Sequence, residues 1–279
     1  MRILFYASRV RPDILVTVNF LTTRTRFGTA TNKDKRKLMR LLNFIHTIQQ
    51  DGIVLGGDSN YVLRLRAYAD ASYGVHMDGK SHTGNVITLG RGHIFCKSSK
   101  QKSVTKSSCE AEILALSDTV STVAWMKDLL QEIGVNMGPP ILFEDNKAAI
   151  FLVTNGPSTA GRVRHVYIRN ASVNQFIADG TMQTIFCPTS QMIADILTKL
   201  LPPPTYNILR KVLSGYDIHV FPEQGCVGIG ILHTIYYGIV STRPLINTWS
   251  DCLTDSDTDV QIHLSKDLDL MKIKLEYLY

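Results

Sequence analysis

A chain of 279 residues, 44% of them hydrophobic, is long enough for a substantial core and too apolar for wholesale disorder. Its formal charge of +6 favours a polyanionic partner, with lysines and arginines crowding the first 110 residues while the stretch from Asp251 to Asp269 turns acidic. Five scattered cysteines (Cys96, Cys109, Cys187, Cys226 and Cys252) form no CxxC pair, which argues against a disulfide framework or a thiolate zinc site and favours a reducing, intracellular setting.

In chain order, the opening apolar run is too short for a signal-peptide core. Residues 1–60 read as helical: Thr31 to Asp34 is a capping signal, and Leu38, Leu41, Leu42, Ile45 and Ile48 follow at helical spacing. Lys33, Lys35, Arg36, Lys37 and Arg40 share the opposite face, which suits solvent and nucleic acid equally. Leu63, Leu65, Ala67 and Ala69 alternate with Arg64, Arg66, Tyr68 and Asp70, the pattern of a strand covered on one side. Val86–Leu89 and His93–Lys97 read as two more strands around Gly90-Arg91-Gly92, so three antiparallel strands are expected. Ser107 to Gly134 reads as one long helix with Ile113, Leu116, Val120, Val123 and Leu130 inward.

From 135 to 200 the pattern alternates. A strand at Ile141–Phe143, a helix from Asn146, a loop around Asn155 to Gly161, a helix near Val166–Ala178, a strand at Met182–Phe186 and a last helix from Gln191 are expected. Antiparallel strands followed by β–α alternation imply an α/β fold with a mixed sheet. Beyond about 214 no period is visible, and Val227 to Val240 falls short of a bilayer span, so no membrane anchor is expected.

Four carboxylates fall at element ends or on a sheet-facing surface: Asp70, Glu112, Asp145 and Asp195. Glu112 shares a face with Leu116, four residues on. Converging carboxylates repel unless cations neutralise them, and oxygen-only ligands suit two Mg²⁺ ions, or Mn²⁺, which can activate water at a phosphodiester. Any single acid is more often a cap or a solvated charge. Glu110, in Ser107-Ser108-Cys109-Glu110, fits a helix cap, leaving Glu112 for chemistry.

Spacing alone does not reach a nuclease, but motifs do. They run in order: Tyr68-Ala69-Asp70-Ala71-Ser72, Lys80-Ser81-His82-Thr83-Gly84, Lys97-Ser98-Ser99-Lys100-Gln101-Lys102 and Lys106-Ser107-Ser108-Cys109-Glu110-Ala111-Glu112. Glu144-Asp145-Asn146, Arg164-His165-Val166-Tyr167-Ile168-Arg169 and Ala194-Asp195-Ile196-Leu197-Thr198-Lys199 complete the set. This order resembles the ribonuclease H domain of Ty1/copia-type retrotransposon polyproteins. Residues 1–60, with Tyr6-Ala7-Ser8-Arg9-Val10-Arg11-Pro12-Asp13-Ile14, resemble the end of reverse transcriptase that joins it. The resemblance implies a ribonuclease H-like domain over 61–213, a five-stranded mixed sheet flanked by helices, preceded by the helical segment. For 214–279 it implies nothing, and disorder or readthrough past the polyprotein's end both stay open.

The resemblance also implies endonucleolytic hydrolysis of RNA in RNA–DNA hybrids, with Asp70, Glu112, Asp145 and Asp195 as catalytic metal ligands. The hybrid and an upstream reverse transcriptase are the implied partners, with no small-molecule cofactor, in cytoplasm, virus-like particles or nucleus. Lys97, Lys100, Lys102 and Lys106 could neutralise phosphates, with Ser98, Ser99, Ser108, Asn146 and His165 as companions. Tyr167 stands where the family carries an acid, Leu200 where it carries proline, Cys96 where Trp is common, and Cys109 where Thr or Ser is. Asn170 to Asn174 lacks the family's aromatic residues. These departures support an alternative, an inactive remnant or nucleic-acid-binding module. The polymerase's Tyr-x-Asp-Asp is absent from the sequence, and a transposase-type Asp-Asp-Glu order does not fit, because the glutamate comes second.

Overall fold

The computed structural model describes residues 4, 8–26, 28–56, 63–156 and 164–216. The readings made for 157–161, for the tail beyond 216 and for the His165 side chain lie outside the described residues.

Two helices come first, α1 (Leu15–Arg26) and α2 (Asn32–Thr47). The Thr31 hydroxyl accepts the Asp34 N–H at 3.3 Å while Asp34 accepts the Thr31 N–H at 2.9 Å, the reciprocal cap foreseen from sequence. Strands β1 (Leu65–Ser72), β2 (His82–Leu89) and β3 (His93–Lys100) follow, then the long α3 (Ser108–Glu132). Next come β4 (Ile141–Glu144), α4 (Lys147–Asn155), α5 (Arg164–Ala178) and β5 (Gln183–Phe186).

The sheet order is β3-β2-β1-β4-β5. β1–β2 and β2–β3 are antiparallel, while β1–β4 and β4–β5 are parallel, so the sheet is the mixed five-stranded one expected. One expectation fails: β1 is covered on both sides, not one. Leu65, Ala67 and Ala69 pack under α3, α4 and α5 with Leu116, Val120, Val153 and Val173. Tyr68 stacks on Phe143 at 4.6 Å on the other face, within a core that takes in Ile14, from the 3-10 turn before α1, and Val18, Leu21 and Leu41 from the N-terminal helices. Arg66, Tyr68 and Asp70 on this face read as solvent-facing, and the residues that cover them are distant in sequence.

The end of the chain also differs from expectation. No α-helix starts at Gln191; two 3-10 turns, Thr189–Gln191 and Ile193–Leu197, stand there instead, so Asp195 lies within a tight turn rather than at a helix start. A helix not foreseen, α6 (Pro203–Leu213), begins at prolines whose missing N–H groups cost nothing at a first turn. It buries Tyr206, Leu209, Val212 and Leu213. Tyr206 and the Arg11 guanidinium meet the buried Asp13, and Arg11 also bonds the Ile48 carbonyl at 3.1 Å. The Arg11-Pro12-Asp13 motif thus fastens the N-terminal helices to α6. Among the described residues, no helix is long and apolar enough to cross a membrane.

Candidate metal centre

Parallel pairing brings the acids together. Tyr68 faces Phe143 in the β1–β4 register, so two residues on, Asp70 and Asp145 reach the same edge of adjacent strands. Glu112 arrives from the first turns of α3, whose N-cap is Ser107, accepting the Glu110 N–H at 3.2 Å. The Glu110 carboxylate turns back to the Lys106 N–H at 2.7 Å. It is therefore engaged in capping, one residue earlier than the standard box, and Glu112 is left to the site. One carboxylate oxygen each from Asp70, Glu112 and Asp145 lies within 4.8 Å of the others. Asp70 and Glu112 are buried.

Asp195 approaches differently. Lys199, one helical turn on, places its ammonium 2.9 Å from Asp195 and 3.3 Å from Asp70. The Thr198 hydroxyl donates to Asp70, the Thr189 hydroxyl donates to Asp145 at 2.7 Å, and Ser72 donates to the Thr198 carbonyl at 3.0 Å. Gly84, opposite Asp70 in β2, permits this crowding. A Cβ there would fall 2.6 Å from Thr198 Cγ2 and 2.9 Å from the Ala194 carbonyl.

The cluster carries more negative charge than one lysine offsets. Burial, then Glu144, Asp70 and Asp145, push Glu112 up to about 11, against a smaller opposing pull from Lys199. Burial and Asp70 raise Asp195 to about 7. Burial works against the Lys199 charge, but Asp70, Asp195 and Asp145 outweigh it and hold the ammonium more firmly protonated. One oxygen each of Glu112 and Glu144 is buried without a hydrogen-bond partner. An oxygen-only donor set with orphaned buried oxygens and excess negative charge fits hard divalent cations such as Mg²⁺ or Mn²⁺.

Four participants escaped the sequence reading: Thr189 at Asp145, Glu144, Thr198 and Lys199. Glu144 is fully buried beside Asp145 and accepts the Asn146 N–H at 3.0 Å, and burial raises it well above the ordinary range. An acid on a strand otherwise composed of Ile, Leu and Phe was the available signal. Thr198 and Lys199 stood inside a quoted motif, and the i, i+4 spacing from Asp195 was the clue to the lysine.

The expected substrate contacts divide. Lys97, Lys102, Lys106 and Ser108 are exposed, and Ser99 is half-buried. Lys100 pairs with Asp78 at 2.7 Å. Asn146 is the cap of α4, its side-chain oxygen accepting from the Ala148 and Ala149 N–H groups. Ser98 requires correction: its hydroxyl is buried between His82 and the Leu197 carbonyl, turned away from any duplex laid on the surface. Burial raises the Cys109 thiol and, more strongly, that of Cys96, which suits inert packing. In the divergent 170–174 stretch, Asn174 ties α5 to α4 by donating to the Val153 and Thr154 carbonyls.

No protein-family model matches the chain. It is 32% identical over 210 residues to the retrovirus-related Pol polyprotein from transposon RE1 of Arabidopsis thaliana, a match spanning 74% of this chain and 14% of that protein. It is 30% identical over 148 residues to the transposon Ty1-DR5 Gag-Pol polyprotein of Saccharomyces cerevisiae, spanning 53% of this chain and 8% of that one. The chain therefore spans only about a seventh or less of these curated relatives. Among solved structures it is similar to LC11-RNase H1, isolated from compost, at 15% identity and a TM-score of 0.38, covering 48% of this chain and 92% of that one.

Proposed function

Because the chain is homologous to one segment of Ty1/copia-type retrotransposon Pol polyproteins, we propose that it hydrolyses the RNA strand of RNA–DNA hybrids with the help of two divalent cations during reverse transcription. The observation that carries this reading is the meeting of Asp70, Glu112 and Asp145 oxygens within 4.8 Å at the sheet edge. Those three acids, with Asp195 beside them, would hold Mg²⁺ or Mn²⁺, which supplies an activated water and neutralises the leaving oxygen. Thr198 and Thr189 orient the Asp70 and Asp145 carboxylates. Lys102 and Lys106, exposed beside the N-terminus of α3, would neutralise phosphates of the hybrid backbone. An upstream reverse transcriptase as partner and an intracellular setting belong to the same proposal.

One observation favours a second reading. The Lys199 ammonium already spans Asp70 and Asp195, and a site closed by its own cation would bind nucleic acid without cutting it. The two readings separate on an end-labelled RNA–DNA hybrid incubated with Mg²⁺ or Mn²⁺. Cutting by the wild type, lost in Asp145→Asn and absent on duplex DNA, supports the nuclease. A folded protein that binds the hybrid and leaves it intact supports the binding module.

A further inference from the structure

A line of polar groups runs from the protein's edge to the turn that carries Asp195. His76 Nε2 lies 3.1 Å from His82 Nδ1, His82 Nε2 lies 2.7 Å from Ser98 Oγ, and Ser98 donates to the Leu197 carbonyl at 2.7 Å. His82 and Ser98 are buried and His76 is half-buried. Donor counting fixes the direction of the chain. The Ser98 hydroxyl has one proton, which the Leu197 carbonyl takes, so the hydroxyl must accept from His82 Nε2–H. The neutral His82 ring then has a bare Nδ1, which accepts from His76 Nε2–H.

The line ends at the site. Asp70 pairs with Gly84 in β2, and Gly84 with Ser98 in β3, so Ser98 stands two strand spacings, roughly 10 Å, from Asp70. Leu197 closes the 3-10 turn of Asp195. The next two residues are Thr198, which donates to Asp70, and Lys199, which bridges Asp70 and Asp195. A serine hydroxyl alone can rotate among several staggered positions. With His82 donating to one of its lone pairs, the Ser98 proton is left aimed at Leu197.

We infer that His82 is a positioning residue of the acidic site: through Ser98 it fixes the Leu197 carbonyl, and so the turn that aims Asp195, Thr198 and Lys199 at Asp70. The inference rests on the metal reading above. Burial keeps the His82 ring neutral, the form that this donor order requires. Partners that orient ligands from behind, when removed, commonly weaken metal binding by about 10- to 100-fold.

The test measures Mn²⁺ binding to the whole chain by electron paramagnetic resonance, which needs no turnover. Wild type is compared with His82→Leu, Ser98→Ala and His82→Gln. Glutamine offers one donor and one acceptor and can take both bonds of the ring. Expected are an affinity loss of about tenfold in the leucine and alanine variants and its recovery in the glutamine variant. Folded leucine and alanine variants with wild-type Mn²⁺ affinity overturn the inference, as does a glutamine variant that restores stability but not affinity. If His82→Leu does not fold, Ser98→Ala, which opens little space, decides by itself. A wild type that binds no Mn²⁺ overturns the metal reading and this inference with it, whereas an intact affinity without hybrid cleavage overturns only the nuclease.

Discussion

His82 makes the fold acid-sensitive by an amount that can be worked out. Burial, and to a lesser extent His76, lower its pKa from 6.5 to about 4. A histidine whose folded value is depressed contributes stability that is whole above 6.5 and lost as pH falls from 6.5 through 4. A shift of this size corresponds to about 3 kcal/mol in all, and by pH 5 roughly 2 kcal/mol should be gone. Asp195 acts in the opposite sense. Raised from 3.8 to about 7, it costs stability that grows from pH 3.8 up to 7 and eases on acidification, as does the cost of the raised Glu112 and Glu144, so the wild-type profile alone mixes these effects with that of His82. Replacing His82 with glutamine keeps a donor and an acceptor in place and removes only the titration. Urea unfolding of both proteins in EDTA at pH 7 and pH 5 isolates the difference, since Asp195, Glu112 and Glu144 are common to both. The wild type should lose about 2 kcal/mol more than His82→Gln over that interval. Parallel losses in the two proteins would mean that His82 is not the group whose protonation opens the fold.

Three further outcomes follow from the packing. Lys199→Met should lower the melting temperature in EDTA and enlarge the rise that Mg²⁺ produces, read by scanning fluorimetry, because the acids lose their internal cation; an unchanged Mg²⁺ response would show that the lysine and the metal do not compete. Asp13→Ala strands the Arg11 guanidinium, of which only 13% of the side chain is exposed, and should cost about 3 kcal/mol in urea unfolding; a loss under about 1 kcal/mol would mean that the Arg11–Asp13–Tyr206 contact does not fasten the N-terminal helices. Gly84→Ala must push the Asp195 turn away, given a Cβ 2.6 Å from Thr198, so it should weaken Mn²⁺ binding in a protein that still folds; wild-type affinity there would show the turn to be slack.

The sheet was legible in the sequence because its signals are local, and so were Asp70, Glu112 and Asp145, which the fold brings together. Alternation marked β1, the Thr31 and Ser107 caps marked two helix starts, and the S-x-x-E match separated Glu110 from Glu112. What failed depends on distant partners. The second covered face of β1 comes from Ile14, Val18 and Leu41, which no window around β1 contains. The Gln191 helix gave way to 3-10 turns, tied down through the Leu197 and Thr198 carbonyls by Ser98 and Ser72 from two different strands. Ser98 lay in a basic motif and read as a surface residue, yet its place opposite Gly84 in the register draws it inside. Glu144 was passed over because its neighbour Asp145 accounted for the motif. Only the fold shows both carboxylates at one edge.

Where a divalent cation sits decides whether the three acids form a metal centre. Crystals of the chain grown with Mn²⁺ and measured for anomalous scattering should show manganese between Asp70, Glu112 and Asp145, with the Lys199 ammonium moved off Asp70. Density showing Lys199 still bridging Asp70 and Asp195, and no manganese among the three acids, would contradict a metal centre there.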